Sequence, residues 1–561
     1  MLNQNNERRS TRFINFAKST RDVYIPKVTS SISSIASKAF SNNSAVYNED
    51  GQLLLPPNTS IHLFPQYSFK HGDKYYIKVK GWMSASGGMN RRNRMMLSVI
   101  TKIIKQNNTN IDLDQDVKQE IFNPESSSSS DTESIQSNGS ESPLGSDTMI
   151  RERLKHFLSK NIPNTPIEIR IGSENIKQDN IKTEKLYTDQ YGFFKTTIEI
   201  GYKPTVVQVQ SLVSETIFAF QDVMIFKSNG IGIISDIDDT IKITGVIGDK
   251  RHLLRNLLTK DMLDWSIPSV IDWFIKIYKN EDVNFFYVSN SPSQLFNIIY
   301  QYLQLVNLPP GSIHLKTYHG NLINSLLETP SLRKQEYLYK ILQDFPEKKF
   351  ICIGDSGEYD LEAYVDIARK FPSQVISINI RYVKDSFSDT DDDMYIYKEL
   401  LRLLSIKRKE IPKIKKIPEP DLIDLSNTKV PPMVPKKPAS LQGKQLRKPP
   451  LPERPKRSPS PTSNISSDGT NLDYDLPPPL PKRKPEFSPN SSNSSFDLND
   501  LCSSPSFLDL QETDKKGAKW IQRIIEALKD LEGTDTKINL FMDSDEKFFK
   551  DSHIELNELC K

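Results

Sequence analysis

The sequence predicts an α/β protein in which a doubly wound domain follows a small β-sandwich-like domain, with long disordered segments around them. Short apolar strands alternate with amphipathic helices over residues 229–386, which is the pattern of a parallel sheet covered on both faces. Several short strands follow one another over residues 48–225 with no helix between them, which is typical of a sandwich. The chain of 561 residues is only 36% hydrophobic, against about 45–50% in globular proteins, and 19 of its 36 prolines lie between residues 411 and 490.

The composition indicates the cell compartment of the protein and excludes some classes of binding partner. Three cysteines, Cys352, Cys502 and Cys560, are too few and too scattered for a disulfide framework or a thiolate metal site. The chain has no apolar window long enough for a membrane-spanning helix and no secretory leader, so we expect a cytoplasmic protein without a transmembrane segment. The net charge of +3 is close to neutral, and no nucleic-acid partner is expected.

The first half of the chain contains two segments that are predicted to be disordered. Residues 1–47 form a Ser- and Asn-rich basic arm, which we favour over a mitochondrial transit peptide of similar composition. The β-sandwich-like domain of residues 48–225 is interrupted by a Ser-rich insert over 106–147, which has too few apolar residues to fold. The role of this domain stays open between lipid recognition and support of the domain that follows.

Polar side chains follow the predicted strands of the α/β domain at the points where the strands end. The strands are predicted at Ile231–Ser235, Asn284–Ser289, Lys349–Gly354 and Gln374–Val383. Asp236 and Asp238 follow the first strand, Ser289 ends the second, Asp355 follows the third, and Lys334 begins the helix before the third. Because ligands of an open α/β sheet bind at the carboxyl ends of its strands, we expect these side chains to meet.

This set of residue types indicates phosphoryl transfer. Carboxylates such as Asp236 and Asp355 suit Mg²⁺, and an aspartate can also act as a nucleophile that forms an aspartyl-phosphate. A second carboxylate two residues later can act as general acid and base. Ser289 can bind a phosphate oxygen beside a helix N-terminus, and Lys334 can supply positive charge to the phosphoryl group. The alternative is a solvated loop after the first strand. It does not explain why Ser289, Lys334 and Gly354–Asp360 also lie at later strand ends and at a helix start of the same domain.

The motifs resemble those of a known superfamily. DIDDTIK (Asp236–Lys242) with Ser289, Lys334 and GDSGEYD (Gly354–Asp360) resembles the four motifs of the haloacid dehalogenase-like phosphatases, which have a Rossmannoid catalytic domain. Longer strings are similar to the fungal phosphatidate phosphatases of cortical actin patches: Ser235–Arg251, Phe285–Pro292 and Phe350–Tyr364. The resemblance covers residues 229–386 strongly and the β region weakly. It implies Mg²⁺-dependent hydrolysis of phosphatidate to diacylglycerol and phosphate.

The resemblance also implies a role for each matching residue. Asp236 is the nucleophile and a metal ligand, and Asp238 is the general acid and base and offers its backbone oxygen to the metal. Ser289 binds phosphate, Lys334 stabilises the phospho-aspartate, and Asp355 completes the metal site.

Thr240 and Asp360 of the motifs have supporting roles, and Asp239 departs from the pattern of a related family. Thr240 is expected to steady the loop, and Asp360 to orient metal-bound water. Resemblance to the lipin-type phosphatidate phosphatases is limited to the catalytic string, where Asp239 replaces their glycine, so the lipid substrate rests on the narrower fungal likeness.

Residues 387–516 are predicted to form a disordered basic and Pro-rich tail. Three strings in it, Pro432–Lys437, Pro449–Arg454 and Pro478–Arg483, place prolines three apart with a basic residue after them. This is the pattern of polyproline II ligands of SH3 domains, which we favour over a stiff linker, and repeated strings would raise avidity for multi-SH3 scaffolds. The family resemblance implies recruitment by SH3 proteins of endocytic actin patches.

Two segments near this tail have other predicted roles. Residues 402–416 carry seven basic residues and one acidic residue after a run of leucines. They would either dock reversibly on an anionic membrane or form a helix end with a solvated basic linker. Residues 517–561 begin with an amphipathic helix, Gly517–Gly533, which we expect to pack back on a folded domain rather than to bind a partner independently.

The leading hypothesis is therefore a phosphatidate phosphatase tethered to cortical scaffolds, with peripheral membrane association. The alternatives are a phosphatase for phosphoproteins or soluble phosphomonoesters, and an SH3-binding scaffold whose folded domain is catalytically incidental. The sequence lacks a GxxxxGK[ST] phosphate loop and an HExxH pairing, which disfavours a P-loop kinase and a zinc hydrolase.

Overall fold

The computed structural model describes residues 46–47, 53–86, 152–153, 159–174, 180–245, 250–279, 283–317, 334–410 and 504–559. The chain divides into two compact units, one of Met1–Arg408 with Phe496–Lys561 and one of Lys409–Ser495. Only the first two residues of the second unit are described, so the three Pro-rich strings lie outside the described residues. The same holds for the Ser-rich insert and for nearly all of the N-terminal arm.

Two packed β-sheets form the part of the first unit that precedes residue 227. Its strands are β1 (Val46–Tyr47), β2 (Leu53–Leu54), β3 (Thr59–Phe64), β4 (Tyr67–His71), β5 (Lys74–Ala85), β6 (Lys160–Asn161), β7 (Pro166–Gly172), β8 (Lys182–Tyr187), β9 (Phe193–Ile200), β10 (Val206–Ser211), β11 (Phe218–Asp222) and β12 (Met224–Phe226). One of the packed sheets has the order β12-β4-β5-β3, with β6 and β9 also paired to β5, and the other has the order β11-β10-β7-β8. The strands β1 and β2 pair with each other in a separate two-stranded sheet. The two sheets share one apolar core, to which Ile77 and Ile198 contribute from the first sheet and Ile169 and Val209 from the second. We call this part the β domain.

A six-stranded parallel sheet forms the rest of the first unit. Its strands are β13 (Ile231–Ser235), β14 (Val283–Pro292), β15 (Gly311–Lys316), β16 (Lys349–Asp355), β17 (Val375–Arg381) and β18 (Lys537–Phe541), in the spatial order β15-β14-β13-β16-β17-β18. All five residues of the inner strand β13 are buried, as expected for a strand covered on both faces. Two strands, β15 and β18, are absent from the sequence prediction. β15 carries Ser312 and His314, which hide its apolar pattern, and β18 lies beyond the Pro-rich segment.

Helices connect and cover these strands. They are α1 (Lys250–Thr259), α2 (Pro268–Tyr278), α3 (Phe296–Leu305), α4 (Gln335–Asp344), α5 (Asp360–Lys370), α6 (Asp393–Glu410), α7 (Pro505–Thr513), α8 (Lys515–Asp530) and α9 (Glu546–Leu559). Phe274 of α2 and Ile299 of α3 share a core with Phe285 of β14, and α5 packs against β16, β17 and α8. In the part of the chain that the structure describes, no helix has the length and apolarity needed to cross a membrane.

The start of the predicted tail belongs to the folded unit. Residues 393–410 form α6, and Leu400, Leu403 and Leu404 are buried on one side of it, whereas Leu401 is 39% exposed. The prediction of disorder over residues 387–516 is wrong at both ends, because α6 packs through leucines at helical spacing and residues 505–516 form α7 and the start of α8. The buried leucines are also not available for the lipid docking that was considered for residues 402–416.

The C-terminal segment completes the parallel sheet. The amphipathic helix that was predicted to pack back on a folded domain is α8, whose Trp520 indole N–H donates to the carbonyl of Ser386 at 2.9 Å. The chain then enters β18, which pairs in parallel with β17, with Ile538 opposite Ile378. The Pro-rich segment between α6 and α7 therefore connects two parts of one sheet and is not a terminal tail. We call this segment the Pro-rich excursion.

The β domain covers the β15 edge of the parallel sheet. The backbone N–H of Ile313 donates to the carbonyl of Pro65 at 2.8 Å, and the Gln66 amide donates to the carbonyl of Ile313 at 2.9 Å. Lys78 of β5 forms an ion pair with Asp344 at the end of α4. These contacts protect an edge strand whose unpaired backbone groups would otherwise be open to pairing with another chain.

Candidate active site

Asp236 lies at the carboxyl end of β13, in the middle of the parallel sheet. Its backbone N–H donates to the carbonyl of Ile353 on β16 at 2.9 Å, which ties the loop to the neighbouring strand. Its side chain is fully buried, and Oδ1 accepts a hydrogen bond from the Nζ of Lys334 at 2.6 Å. Oδ2 is buried and has no hydrogen-bond partner among the described residues. One carboxylate oxygen is thus held by a cation, while the other is available to a ligand.

Asp238, two residues later, is surrounded by donors. Its Oδ1 lies 2.9 Å from the Nζ of Lys242 and accepts the hydroxyl of Thr244 at 2.9 Å. Its Oδ2 accepts the hydroxyls of Ser289 and Ser291, each at 2.7 Å. Burial opposes the charged form, but Lys242 and the serine hydroxyls outweigh it and lower the pKa of Asp238 below its ordinary value. Asp238 is therefore ionised at neutral pH in this arrangement.

Asp239 holds the loop between these two aspartates and the next turn. Its Oδ1 accepts the backbone N–H groups of Thr244 at 2.6 Å and Gly245 at 2.9 Å. Its φ of +52° lies in the left-handed region, which asparagine and aspartate tolerate better than most residues and which glycine adopts without strain. The hydroxyl of Thr240 is buried and has no hydrogen-bond partner among the described residues. The steadying role that was expected of Thr240 thus corresponds to contacts made by Asp239.

Lys334 stands between three buried carboxylates. Its Nζ lies 2.6 Å from oxygens of Asp236 and Asp360 and 3.0 Å from an oxygen of Glu358. Burial alone would lower the pKa of Lys334, but the three carboxylates raise it well above the ordinary value. Burial, with Asp360 and Glu358, raises the pKa of Asp236 well above its ordinary value even though Lys334 acts in the opposite direction. One cation therefore does not balance the negative charge of this cluster.

The acidic cluster fits a divalent cation. One carboxylate oxygen from each of Asp236, Glu358 and Asp360 lies within 4.8 Å of the others. Asp355, also fully buried, has one oxygen, Oδ1, with no hydrogen-bond partner among the described residues. Burial and then the charges of Asp360 and Glu358 raise the pKa of Asp355 well above its ordinary value. Two buried carboxylate oxygens without hydrogen-bond partners, in a site with excess negative charge, are ligands of the type that a hard divalent cation binds.

The structure brings the residues predicted from the strand ends to one edge of the sheet. Ser289 contacts Asp238, and Lys334 contacts Asp236. Asp355 ends β16 and has its backbone N–H 3.3 Å from the carboxylate of Asp360, which itself contacts Lys334.

Three residues of the cluster had no role in the sequence prediction. Lys242, Ser291 and Glu358 all lie inside the quoted motifs, but only the folded chain shows that they contact the aspartates. Glu358 also accepts the amide of Asn290 at 2.9 Å, which links the loops after β14 and β16. Their position inside the motifs was the available signal, because charged or hydroxyl residues next to catalytic ones tend to contact the same site.

The C-terminal segment contacts two of the catalytic loops. Asp543, which follows β18, forms a bidentate pair with Arg381, with both N–O distances at 2.6 Å. Arg381 in turn donates to the backbone carbonyl of Asp239 at 2.7 Å. On α8, Arg523 pairs with a glutamate of α5 and donates to the backbone carbonyl of Glu358 at 3.1 Å. No sequence pattern predicts these contacts, because more than 140 residues separate the partners.

Comparison with known proteins gives matches on the same region. A family model described as the catalytic domain of phosphatidate phosphatase APP1 matches residues 231–382. Phosphatidate phosphatase APP1 of Saccharomyces cerevisiae is 34% identical over 435 residues, which cover 71% of this chain and 72% of that protein. An uncharacterised protein of Schizosaccharomyces pombe is 31% identical over 232 residues, which cover 39% of this chain and 38% of that protein. The family model spans β13 to β17, the strands that carry the acidic loops.

Proposed function

The chain belongs to the family of the fungal phosphatidate phosphatase APP1, and from this premise we propose that it hydrolyses phosphatidate to diacylglycerol and phosphate through an aspartyl-phosphate on Asp236. The fold class and the enzyme class agree with the prediction from the sequence, since the chain is a mixed α/β protein and a phosphatidate phosphatase. The proposed mechanism rests on the carboxylate of Asp236, whose two oxygens have different surroundings. Lys334 holds one oxygen, and the other is buried without a partner.

The first step is attack on phosphorus. Oδ2 of Asp236 forms the new P–O bond, and the bond between phosphorus and the diacylglycerol oxygen breaks. Lys334 fixes the orientation of the nucleophile and supplies positive charge beside the phosphoryl oxygens. The Ser289 hydroxyl, at the start of the turn that leads into α3, is placed to donate to a phosphoryl oxygen.

Asp238 is the proposed general acid of the first step and the general base of the second. In the resting arrangement it is ionised, which suits the second step, in which it takes a proton from the water that attacks the phosphoryl group. The first step needs a proton on Asp238 for the departing diacylglycerol oxygen. Phosphate binding draws the hydroxyls of Ser289 and Ser291 to the phosphoryl oxygens and so weakens the contacts that hold the charged form of Asp238, which then takes a proton from solvent and passes it to the departing oxygen.

Mg²⁺ is the proposed cofactor. Asp355 would hold it through its orphaned Oδ1 and Asp236 through Oδ1, the oxygen that does not attack phosphorus, together with the backbone oxygen of Asp238, and Glu358 and Asp360 lie beside them. When bound, the ion neutralises negative charge on the phosphoryl oxygens and allows the buried carboxylates to ionise together. Asp360 would also orient metal-bound water.

The proposed organisation follows from this site. Residues 229–386 together with the C-terminal segment 504–559 form a haloacid dehalogenase-like catalytic domain, supported by the parallel sheet and the loops at its carboxyl edge. The β domain of 48–225 precedes it. The arm predicted over residues 1–47 remains proposed as disordered only up to residue 45, because Val46–Tyr47 form β1, and the insert of 106–147 remains proposed as disordered.

Recruitment is proposed to occur through the excursion between α6 and α7. Its three strings, Pro432–Lys437, Pro449–Arg454 and Pro478–Arg483, would bind SH3 domains and place the enzyme at cortical actin patches, in peripheral contact with the membrane. Replacing the basic residues that end the strings (Lys437, Arg454 and Arg483) with glutamate should abolish binding to an SH3 domain in titration calorimetry. Undiminished binding would refute the assignment.

The substrate is tested by phosphate release from phosphatidate in detergent micelles, compared with a phosphopeptide and a sugar phosphate. We expect Mg²⁺-dependent release from phosphatidate only, loss of release in Asp236→Asn, and full activity in Asp272→Asn, a matched exposed aspartate on α2. Preferred release from the phosphopeptide or the sugar phosphate would favour the second phosphatase hypothesis. No release from any substrate would favour the scaffold.

A further inference from the structure

A cavity of about 840 Å³ lies between the β domain and the α/β sheet. Its walls come from β5, β8 and β9 on one side and from the end of β15 and the start of α4 on the other. Neither Asp236, Ser289 nor Lys334 lines it, so it is separate from the phosphoryl site. Its volume is in the range of sites that hold small ligands, roughly 300–1,000 Å³.

Lys80 is the unusual residue in this cavity. Its side chain is 6% exposed, and its Nζ donates to the carbonyl of Leu315 at 3.2 Å and to the hydroxyl of Tyr337 at 3.3 Å. In the described part of the chain it takes part in no ion pair, whereas Lys78 on the same strand is paired with Asp344. An ammonium group has three N–H donors, so one donor of Lys80 has no hydrogen-bond partner among the described residues, and its charge faces the rings of Phe64 and Tyr337 rather than a carboxylate.

The surroundings of Lys80 add to its positive potential. Burial first, and then Lys195, lower the pKa of Lys80 to about 7, with Glu336 acting weakly against them. Lys195 and Lys316 line the same cavity. Its acids are Asp189, which accepts backbone N–H groups of its own turn, and Glu336, which is exposed. A buried amine that no carboxylate pairs is costly to charge, so its position beside a cavity points to an anionic ligand that stabilises the charged form.

The mouth of the cavity indicates where this anion comes from. Tyr187 at the lip is 68% exposed, and Lys195 beside the same cavity is exposed as well. Tyrosine and lysine at the edge of a site are the side chains that favour the boundary between lipid and water. A free metabolite would not require an exposed aromatic ring at the entrance.

We propose that the cavity binds the phosphate headgroup of an anionic membrane phospholipid other than the molecule that is hydrolysed at Asp236. Lys80, with Lys195 and Lys316, binds the phosphate, and Tyr187 contacts the bilayer surface. A second lipid bound by the β domain keeps the enzyme on the membrane while substrate and product exchange, since a linked second contact raises the effective affinity. This role rests on the proposed function only in assuming a lipid substrate.

The test measures vesicle binding in the absence of turnover. In the Asp236→Asn background, the full chain is sedimented with vesicles of phosphatidylcholine alone or with phosphatidylinositol added, a lipid that is not the substrate. Lys80→Met should weaken binding to the anionic vesicles about fivefold or more, and Lys80→Arg should restore it. Lys74→Met, which removes an exposed lysine on the same strand that is paired with Glu199, is the matched control and should bind as the parent does.

Thermal unfolding separates a binding role from a structural one. Because Lys80→Met removes an unbalanced buried charge, its Tm should stay the same or rise, while its vesicle binding falls. If this variant does not fold, Lys195→Glu changes an exposed residue of the same cavity and should give the same loss of binding. Anionic vesicle binding unchanged in Lys80→Met and in Lys195→Glu would overturn the proposal, as would equal binding of the parent to vesicles of phosphatidylcholine alone. These results are independent of whether the active enzyme hydrolyses phosphatidate.

Discussion

The C-terminal segment after the Pro-rich excursion is predicted to be essential for the fold, although the excursion itself is not. Two variants separate these parts. One ends the chain after Glu410, and the other replaces residues 411–503 with a flexible Gly/Ser linker while retaining 504–561. Only the first removes β18 and the helices around it.

The burial of the segment sets the size of the effect. Eleven large apolar side chains of residues 504–559 are buried: Phe507, Trp520, Ile521, Ile524, Ile525, Leu528, Leu531, Ile538, Leu540, Phe541 and Leu556. At about 1.5–3 kcal/mol for each, their burial contributes roughly 15–30 kcal/mol before the entropy cost of ordering the segment. That gross contribution exceeds the net stability of an ordinary domain, about 5–15 kcal/mol. Truncation also exposes β17 as an unpaired edge strand.

The assay is thermal unfolding followed by circular dichroism, with phosphate release from phosphatidate micelles on the same samples. The truncated chain should show no cooperative transition of the α/β domain and at least about 100-fold lower activity, because the catalytic loops lose their supports. The linker variant should keep the parent Tm and activity within about twofold, as expected for the removal of residues most of which belong to the second unit. A truncated chain that unfolds cooperatively at the parent Tm and remains active would refute the reasoning.

Three further predictions concern single residues. Lys242→Met removes the cation beside Asp238, so the pKa of Asp238 should rise. Because Asp238 must be ionised to act as the base of the second step, the acidic limb of the kcat profile should move to higher pH where that step limits turnover, and an unmoved limb would contradict this role. Lys334→Met leaves three buried carboxylates without their cation and should lower kcat by about 100-fold or more, whereas a loss confined to KM would argue against its position beside the nucleophile. Asp543→Asn removes the charge that holds Arg381. It should lower the free energy of unfolding by about 1–3 kcal/mol and should also lower kcat. A fall in stability with kcat unchanged would limit Arg381 to a structural role.

The sequence predicts the candidate site well because the site obeys a local rule. Asp236, Asp238 and Ser289 each follow a strand with a continuous apolar run, and the carboxyl ends of parallel strands share one edge. The motif around Asp355 is found in the same way. Lys334 needs only the recognition of the helix that it begins.

The parts that the sequence does not predict depend on distant contacts. β18 pairs with β17 across more than 150 residues of sequence, and no pattern within Lys537–Phe541 indicates its neighbour. The contact of Asp543 with Arg381 cannot be predicted from the sequence either, because its partners are equally far apart in the chain. α6 was assigned to a tail because its basic residues dominate the composition, although its buried leucines have helical spacing.

The local details of the catalytic loop also required the folded chain. Thr240 was the residue expected to steady the loop, since a threonine hydroxyl often bonds to nearby backbone. In the structure, the carboxylate of Asp239 accepts the two backbone N–H groups instead. Such an exchange of roles between adjacent residues depends on a single φ angle, which the sequence does not specify.

The most direct test of the central claim is to trap the phosphorylated enzyme. Protein turning over phosphatidate with Mg²⁺ is quenched in acid and reduced with borohydride, which converts an aspartyl-phosphate to homoserine, and the modified position is found by mass spectrometry. We expect homoserine at position 236 only when phosphatidate is present, and none at this position in Asp236→Asn. Homoserine at another aspartate, or none at position 236 in enzyme that is releasing phosphate, would contradict the assignment of Asp236 as the nucleophile.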